Sequence, residues 1–180
     1  MKRVFYFLIF LLIVFPLEAK TIKSRYFNIN FYGDVDLVEF LKKINVDFIK
    51  LDDIFKNNIK NLDSIIIESI DNLYLEVSDI LDIHIPGYKG RINIFHSKED
   101  FDNAIYSLGI NNSKLSSIFL PDNNTIYILE EKLTLGILAH EIAHAIICNY
   151  FITPPPTKVS EILAGYVEYS ILKRAKKLNN

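Results

Sequence analysis

Two histidines separated by three residues form the part of this sequence best suited to chemistry. They lie in the segment His140-Glu141-Ile142-Ala143-His144, an HExxH motif. On a helix, residues four apart lie one turn above each other, so both imidazoles face the same side and can bind one metal ion. Glu141 lies about 100° further round the helix, where its carboxylate can accept a proton from water. The motif predicts a zinc site with Glu141 as general base.

A catalytic zinc ion normally has three protein ligands and one open position, so another residue must complete the site. The candidates are His84, His96 and the carboxylates. Glu161 follows His144 by 17 positions and lies in the first turn of the next predicted helix, beyond three prolines at 154–156. An antiparallel return of the chain would bring that turn close to the metal. We therefore expect Glu161 to be the third ligand of one Zn²⁺ ion.

The stretch that contains Glu161 resembles a known family. Residues 160–169, SEILAGYVEY, look like the NEGFASYVEY stretch of gluzincin aminopeptidases, and HEIAH matches the zinc helix of that family. The resemblance implies that Glu161 binds zinc and that Glu168 orients a ligating histidine. Positions seven apart share a helix face, and ligating histidines usually donate their second ring N–H to a carboxylate. The substrate motif of those aminopeptidases is absent, so their specificity is not implied.

Periodic apolar patterns predict the elements that hold these residues. A long helix begins at Asn61 and stops before Pro86, and further helices are predicted over residues 36–44, 99–108, 134–151 and 157–178. Strands are predicted over residues 26–32, 91–95, 117–120 and 125–129, the last two as a hairpin. This order predicts an α+β domain with a mixed or antiparallel sheet, a long N-terminal helix and a C-terminal helix pair that carries HExxH and Glu161. It is similar to the order in small peptidase MA-like gluzincins, which implies a zincin-like fold.

The first residues are typical of a signal peptide rather than of the fold. Lys2 and Arg3 precede an apolar run over residues 4–15, and Ala19 offers a small residue for cleavage. We therefore expect an exported protein, periplasmic or secreted, whose residues 20–180 form one domain. The run is shorter than a membrane span needs, and if it is retained it would associate the chain with a membrane.

Composition excludes some classes of protein. The formal charge is −2 and no basic stripe is present, which argues against nucleic acid as a partner. Half of the residues are apolar, which suits a packed core. Cys148 is the only cysteine, so an intramolecular disulfide is impossible. Four residues after His144, Cys148 is expected to be a small buried apolar residue, with metal binding as the alternative.

The predicted activity is that of a zinc metallopeptidase acting on a peptide or protein substrate. We expect the strand at 125–129, just before the zinc helix, to be the sheet edge to which an extended peptide adds. The main alternative is an inactive exported zinc-binding or interaction domain; others are a metalloenzyme with a different substrate and a membrane-tethered domain without metal. Retention of Glu141, which need not bind metal, favours an enzyme. No protein partner and no residue that stabilises an oxyanion is assigned.

Overall fold

The computed structural model of the chain describes residues 19–44 and 62–178, and most of the predicted signal segment therefore lies outside the described residues. Five strands are present there: β1 (Ala19–Lys23), β2 (Phe27–Tyr32), β3 (Gly90–Phe95), β4 (Ser117–Leu120) and β5 (Thr125–Leu129). The α-helices are α1 (Leu37–Ile44), α2 (Leu62–Leu81), α3 (Lys98–Ser107), α4 (Leu135–Tyr150) and α5 (Thr157–Leu178). Short 3₁₀ turns at Pro121–Asn123 and Glu130–Lys132 flank β5.

The strands form one mixed sheet in the order β1-β2-β3-β5-β4. The three central strands run parallel, and β1 and β4 pair antiparallel at the two ends. The predicted α+β class with a mixed sheet is confirmed. The expectation that residues 125–129 form the sheet edge is wrong, because β5 lies between β3 and β4. Among the described strands, β4 is the edge on that side.

Helices cover both faces of the sheet, which explains why every residue of β5 is buried. Ile126 and Ile128 face the main core, shared with α1, α2, α4 and α5. Tyr127 and Leu129 face a smaller core built around α3. A strand that is buried on both faces has a continuous run of apolar residues in its sequence rather than alternating apolar and polar residues. The run TIYIL is therefore typical of a central strand.

The two C-terminal helices pack mainly against each other, as the sequence predicted. Thr134 caps α4, its side chain accepting a hydrogen bond from the Ile137 backbone N–H, and the prolines after Phe151 prevent the helix from continuing. Small side chains on the inner faces allow close approach, among them Ala139, Ala143 and Ala164, all fully buried. Among residues 19–44 and 62–178, no helix is both long enough and apolar enough to cross a membrane.

Candidate metal centre

The HExxH helix and the final helix bring three side chains together. His140 and His144 project from α4, and Glu161 projects from the second turn of α5. The two histidine Nε2 atoms are 3.1 Å apart. The carboxylate of Glu161 lies 3.5 Å from Nε2 of His140 through one oxygen and 3.4 Å from Nε2 of His144 through the other. The predicted ligand set therefore occupies one place in the structure.

These separations fit one small cation. Zinc bonds to nitrogen and oxygen of about 2.0–2.1 Å in a tetrahedron place the ligand atoms about 3.3 Å apart. The two Nε2 atoms, 3.1 Å apart, lie close to that value, and with one carboxylate oxygen of Glu161 added the three ligand atoms lie within 4.8 Å of one another. Two imidazoles and one carboxylate also form one of the common donor sets of catalytic zinc. Both the spacing and the donor chemistry suit Zn²⁺.

The other ring nitrogens of the two histidines have partners of their own. Nδ1 of His140 lies 3.2 Å from a carboxylate oxygen of Glu168, and Nδ1 of His144 lies 2.9 Å from the hydroxyl oxygen of Ser160. A neutral imidazole that donates its Nδ1–H carries its lone pair on Nε2. With this tautomer, both Nε2 lone pairs are available to a cation beside the Glu161 carboxylate.

The surroundings also favour the neutral form of one ligand. Burial lowers the pKa of His144 below its ordinary value, and His140 lowers the pKa further, whereas the Glu161 carboxylate raises it. A lowered pKa keeps the imidazole unprotonated near neutral pH. Metal binding needs neutral histidine, so the pKa of His144 is suited to a ligand.

Glu141 lies apart from the three converging groups, on the side of α4 that faces β4. The residue is buried, with 6% of its surface exposed. Burial raises the pKa of the Glu141 carboxyl above its ordinary value. The neighbouring Ser117 hydroxyl, the imidazole of His140 and the Phe119 backbone N–H oppose that rise. Glu141 is therefore a carboxylate beside the site rather than a member of it, as the motif predicted.

A cavity of about 520 Å³ opens over these groups. Its walls come from β4 and the turn after it, from α4, and from the start of α5. Most of the remaining lining is apolar, supplied by Leu115, Ile118, Phe119, Pro121, Pro154 and Pro155. Both histidines, Glu141 and Glu161 line this cavity.

The other residues considered from the sequence lie elsewhere or play no part in the cluster. His84 lies 3.7 Å from the Asp79 carboxylate, and Nδ1 of His96 lies 2.8 Å from the carboxylate of Glu130. Neither belongs to the converging group. Cys148 is half-buried and lines the cavity, and its pKa is raised by burial, as expected of a thiol that stays protonated.

Two residues of the site were not predicted from the sequence. The hydroxyl oxygen of Ser160 lies 2.9 Å from Nδ1 of His144, and the Ser117 side chain contacts the Glu141 carboxylate. A weak signal exists for Ser160, which directly precedes Glu161 in the stretch that resembles the gluzincins. No signal identifies Ser117, because a serine at a strand start is ordinary in a sequence and its contact with α4 is a tertiary one.

No protein-family model matches this chain, and neither the curated proteins nor the solved structures compared with it give a significant match. The assignment of the site therefore rests on its own geometry and on the motif.

Proposed function

We propose that this protein is a zinc-dependent hydrolase, most specifically a peptidase. One observation carries the proposal: ligand atoms of His140, His144 and Glu161 lie within 4.8 Å of one another, with Glu141 buried beside them. His140, His144 and Glu161 would hold the ion. Bound zinc would supply Lewis-acid chemistry, which polarises a carbonyl group and makes water a stronger acid.

The remaining residues have roles that follow from their contacts. Glu168 and Ser160 fix the ring orientation of the two histidines through their Nδ1 atoms. Glu141 acts as general base and accepts a proton from the attacking water on a carboxylate oxygen. The water oxygen bonds to the carbonyl carbon, the C–N bond breaks, and Glu141 delivers the proton to the leaving nitrogen.

The sheet edge beside the cavity supports a peptide as substrate. The Leu129 N–H donates to the Ser116 carbonyl across the β4–β5 pair at 2.8 Å. Hydrogen-bonding positions alternate along an antiparallel strand. The backbone groups of Ser117 and Phe119 therefore point away from β5, towards the cavity. An extended peptide could pair with the Ser117 N–H and carbonyl as an additional strand, which would place its scissile bond near Glu141.

Cleavage of an unfolded protein substrate tests the proposal. We expect the purified full chain with one equivalent of zinc to cleave casein, and Glu141→Gln to lower the rate by about 10²–10⁴-fold while zinc stays bound. Glu131→Gln, an exposed carboxylate on the neighbouring 3₁₀ turn, is the matched control and should keep the parent rate. In the same assay Ser117→Pro should cleave more slowly than Ser117→Ala, which keeps the outward N–H. Equal rates for Glu141→Gln and the parent would refute the peptidase assignment.

A further inference from the structure

The helix that carries Glu161, α5, presents an unusual surface on the side that faces away from the core. Ile162, Tyr166, Tyr169, Lys173 and Lys176 follow each other at spacings of three and four residues, so they form one continuous strip, the outer face of α5. Ile162, Tyr166 and Tyr169 are 62%, 59% and 61% exposed. Single exposed apolar residues are ordinary, but a contiguous strip of them marks an interaction surface.

The charge on this helix is divided between its two sides. The acidic residues of α5 are Glu161 and Glu168, and both contact His140 at the metal centre. The outer face carries lysines alone among charged residues. A shallow depression of about 380 Å³ on this face is lined by Tyr169, Leu172, Lys173, Lys176 and Lys177, so its charge is wholly positive.

Aromatic and aliphatic residues beside lysines on one helix face have a specific physical meaning. Tyrosine rings favour the headgroup level of a bilayer, where the ring is in an apolar region and the hydroxyl is in water. Lysines on the same face attract anionic lipid headgroups, and their long stems reach across apolar surface to do so. Nζ of Lys173 already lies 5.7 Å from the centre of the Tyr169 ring.

We propose that the outer face of α5 docks on the surface of a bilayer that contains anionic phospholipid. The occupant follows from charge complementarity: the strip is apolar and cationic, and the two acidic residues of the helix, Glu161 and Glu168, lie outside the strip, beside His140. Docking would hold the metal-centre helix against the membrane, so that a substrate would reach the cavity from the membrane surface. The docking surface does not depend on the proposed hydrolase activity, because it shares no residue with the metal centre.

Fluorescence of a single tryptophan tests this proposal on the full chain. The sequence contains no tryptophan, so Tyr166→Trp gives one reporter on the outer face. Tyr106→Trp is the matched control, since Tyr106 is 70% exposed on α3, which packs on the other face of the sheet. Each variant is mixed with vesicles of phosphatidylcholine alone or with phosphatidylglycerol added, both carrying brominated acyl chains as quenchers.

We expect Tyr166→Trp to shift its emission to the blue and to be quenched on the anionic vesicles only, and Tyr106→Trp to stay unquenched on both. Adding Lys173→Gln or Lys176→Gln to the Tyr166→Trp variant should lower its ratio of docked to undocked protein about fivefold each. Equal quenching at the two positions would overturn the proposal, because membrane association would then come from the N-terminal segment alone and not from the outer face of α5. A Tyr166→Trp variant that stays unquenched on anionic vesicles would also overturn it and would leave a protein partner as the occupant.

Discussion

At the scale of single residues, the second ring nitrogen of each histidine determines what the site can bind. Glu168 and Ser160 engage the Nδ1 atoms at 3.2 and 2.9 Å, and this leaves both Nε2 atoms directed at Glu161. Partners of this kind raise the basicity of a ligand and fix its ring. A pair of histidines without such partners could rotate away from a shared ion. The two partners are therefore as much a part of the site as the ligands.

Replacing either partner should weaken metal binding without removing it. We expect Glu168→Gln and Ser160→Ala each to lower the affinity for zinc by about 10–100-fold, because the ring of the corresponding histidine loses its fixed orientation. Competition with a zinc chelator measures this change. Ser170→Ala, on the same helix and outside the cluster, is the control and should keep the parent affinity. An unchanged affinity in both test variants would show that these contacts do not orient the ligands.

Sequence analysis could predict the residues of the candidate metal centre but not all of their partners. His140, Glu141 and His144 form a local motif, so one helix specifies their relative positions. Glu161 and Glu168 needed both a helix return and a resemblance to be predicted. The contact of Ser117 with Glu141 joins an edge strand to a helix, and such a contact depends on strand order, which no local pattern encodes.

At the scale of elements, the site depends on how closely α4 approaches α5. Gly136 lies one turn before the first histidine, and a Cβ atom there would come within 3.1 Å of Leu172 Cδ1 and 3.2 Å of Glu168 Cγ. Glycine thus permits the two helices to meet at the position where Glu168 reaches His140. The opposite case is Gly165 on α5, where a Cβ atom would meet nothing within 4 Å.

Two alanine substitutions separate this packing role from helix propensity. We expect Gly165→Ala to stabilise the fold by about 0.5–1 kcal/mol and to leave zinc binding unchanged, because alanine is the better helix former and the space is open. Gly136→Ala should weaken zinc binding, since its methyl group displaces the Glu168 side chain from His140. Chemical denaturation and chelator competition measure the two quantities. Parent zinc affinity in Gly136→Ala would contradict the packing role.

The elements were predicted where their periodicity is strong. The buried positions of α2 include Ile66, Ile70, Leu73 and Val77, at the spacing that predicted the helix. The strand β1 was not predicted, because it begins at Ala19, where the sequence also resembles a signal-peptide cleavage site. The prediction that β5 forms the sheet edge was wrong for a physical reason. This strand, which precedes the HExxH helix in sequence, is covered on both faces, and β4 pairs with it on the outer side.

At the scale of the whole molecule, stacked aromatic rings join α2 to the sheet. Tyr74 of α2 stacks on Tyr26 at 4.1 Å and on Tyr88 at 5.0 Å between ring centroids. Phe27 packs edge-on against Tyr74 and Tyr88. Rings packed in this way contribute beyond their buried area. Tyr88 is almost wholly buried, and burial raises the pKa of its hydroxyl well above the ordinary value of tyrosine.

This burial predicts a loss of stability in alkali. A raised pKa means that the folded chain keeps its proton while the unfolded chain loses it above pH about 10, so the free energy of unfolding falls as pH rises beyond that point. One such group contributes a slope of about 1.4 kcal/mol per pH unit. Between pH about 10 and about 11.5, we expect the free energy of unfolding of Tyr88→Phe to fall less steeply with pH than that of the parent, by this amount. Urea unfolding at a series of pH values measures the difference. Tyr106→Phe, at an exposed position, is the control; the same slope in Tyr88→Phe and the parent would contradict this account.

Zinc binding by the purified full chain tests the central claim most directly. We expect one zinc ion per parent chain, measured by elemental analysis and chelator competition. Glu141→Gln should keep that ion, whereas Glu161→Gln should weaken binding by more than the roughly 10–100-fold attributed to an orienting residue. Glu161 is about half exposed, so its replacement should leave the fold intact. A folded parent that binds no zinc, or a Glu161→Gln variant with parent affinity, would contradict the metal centre described above.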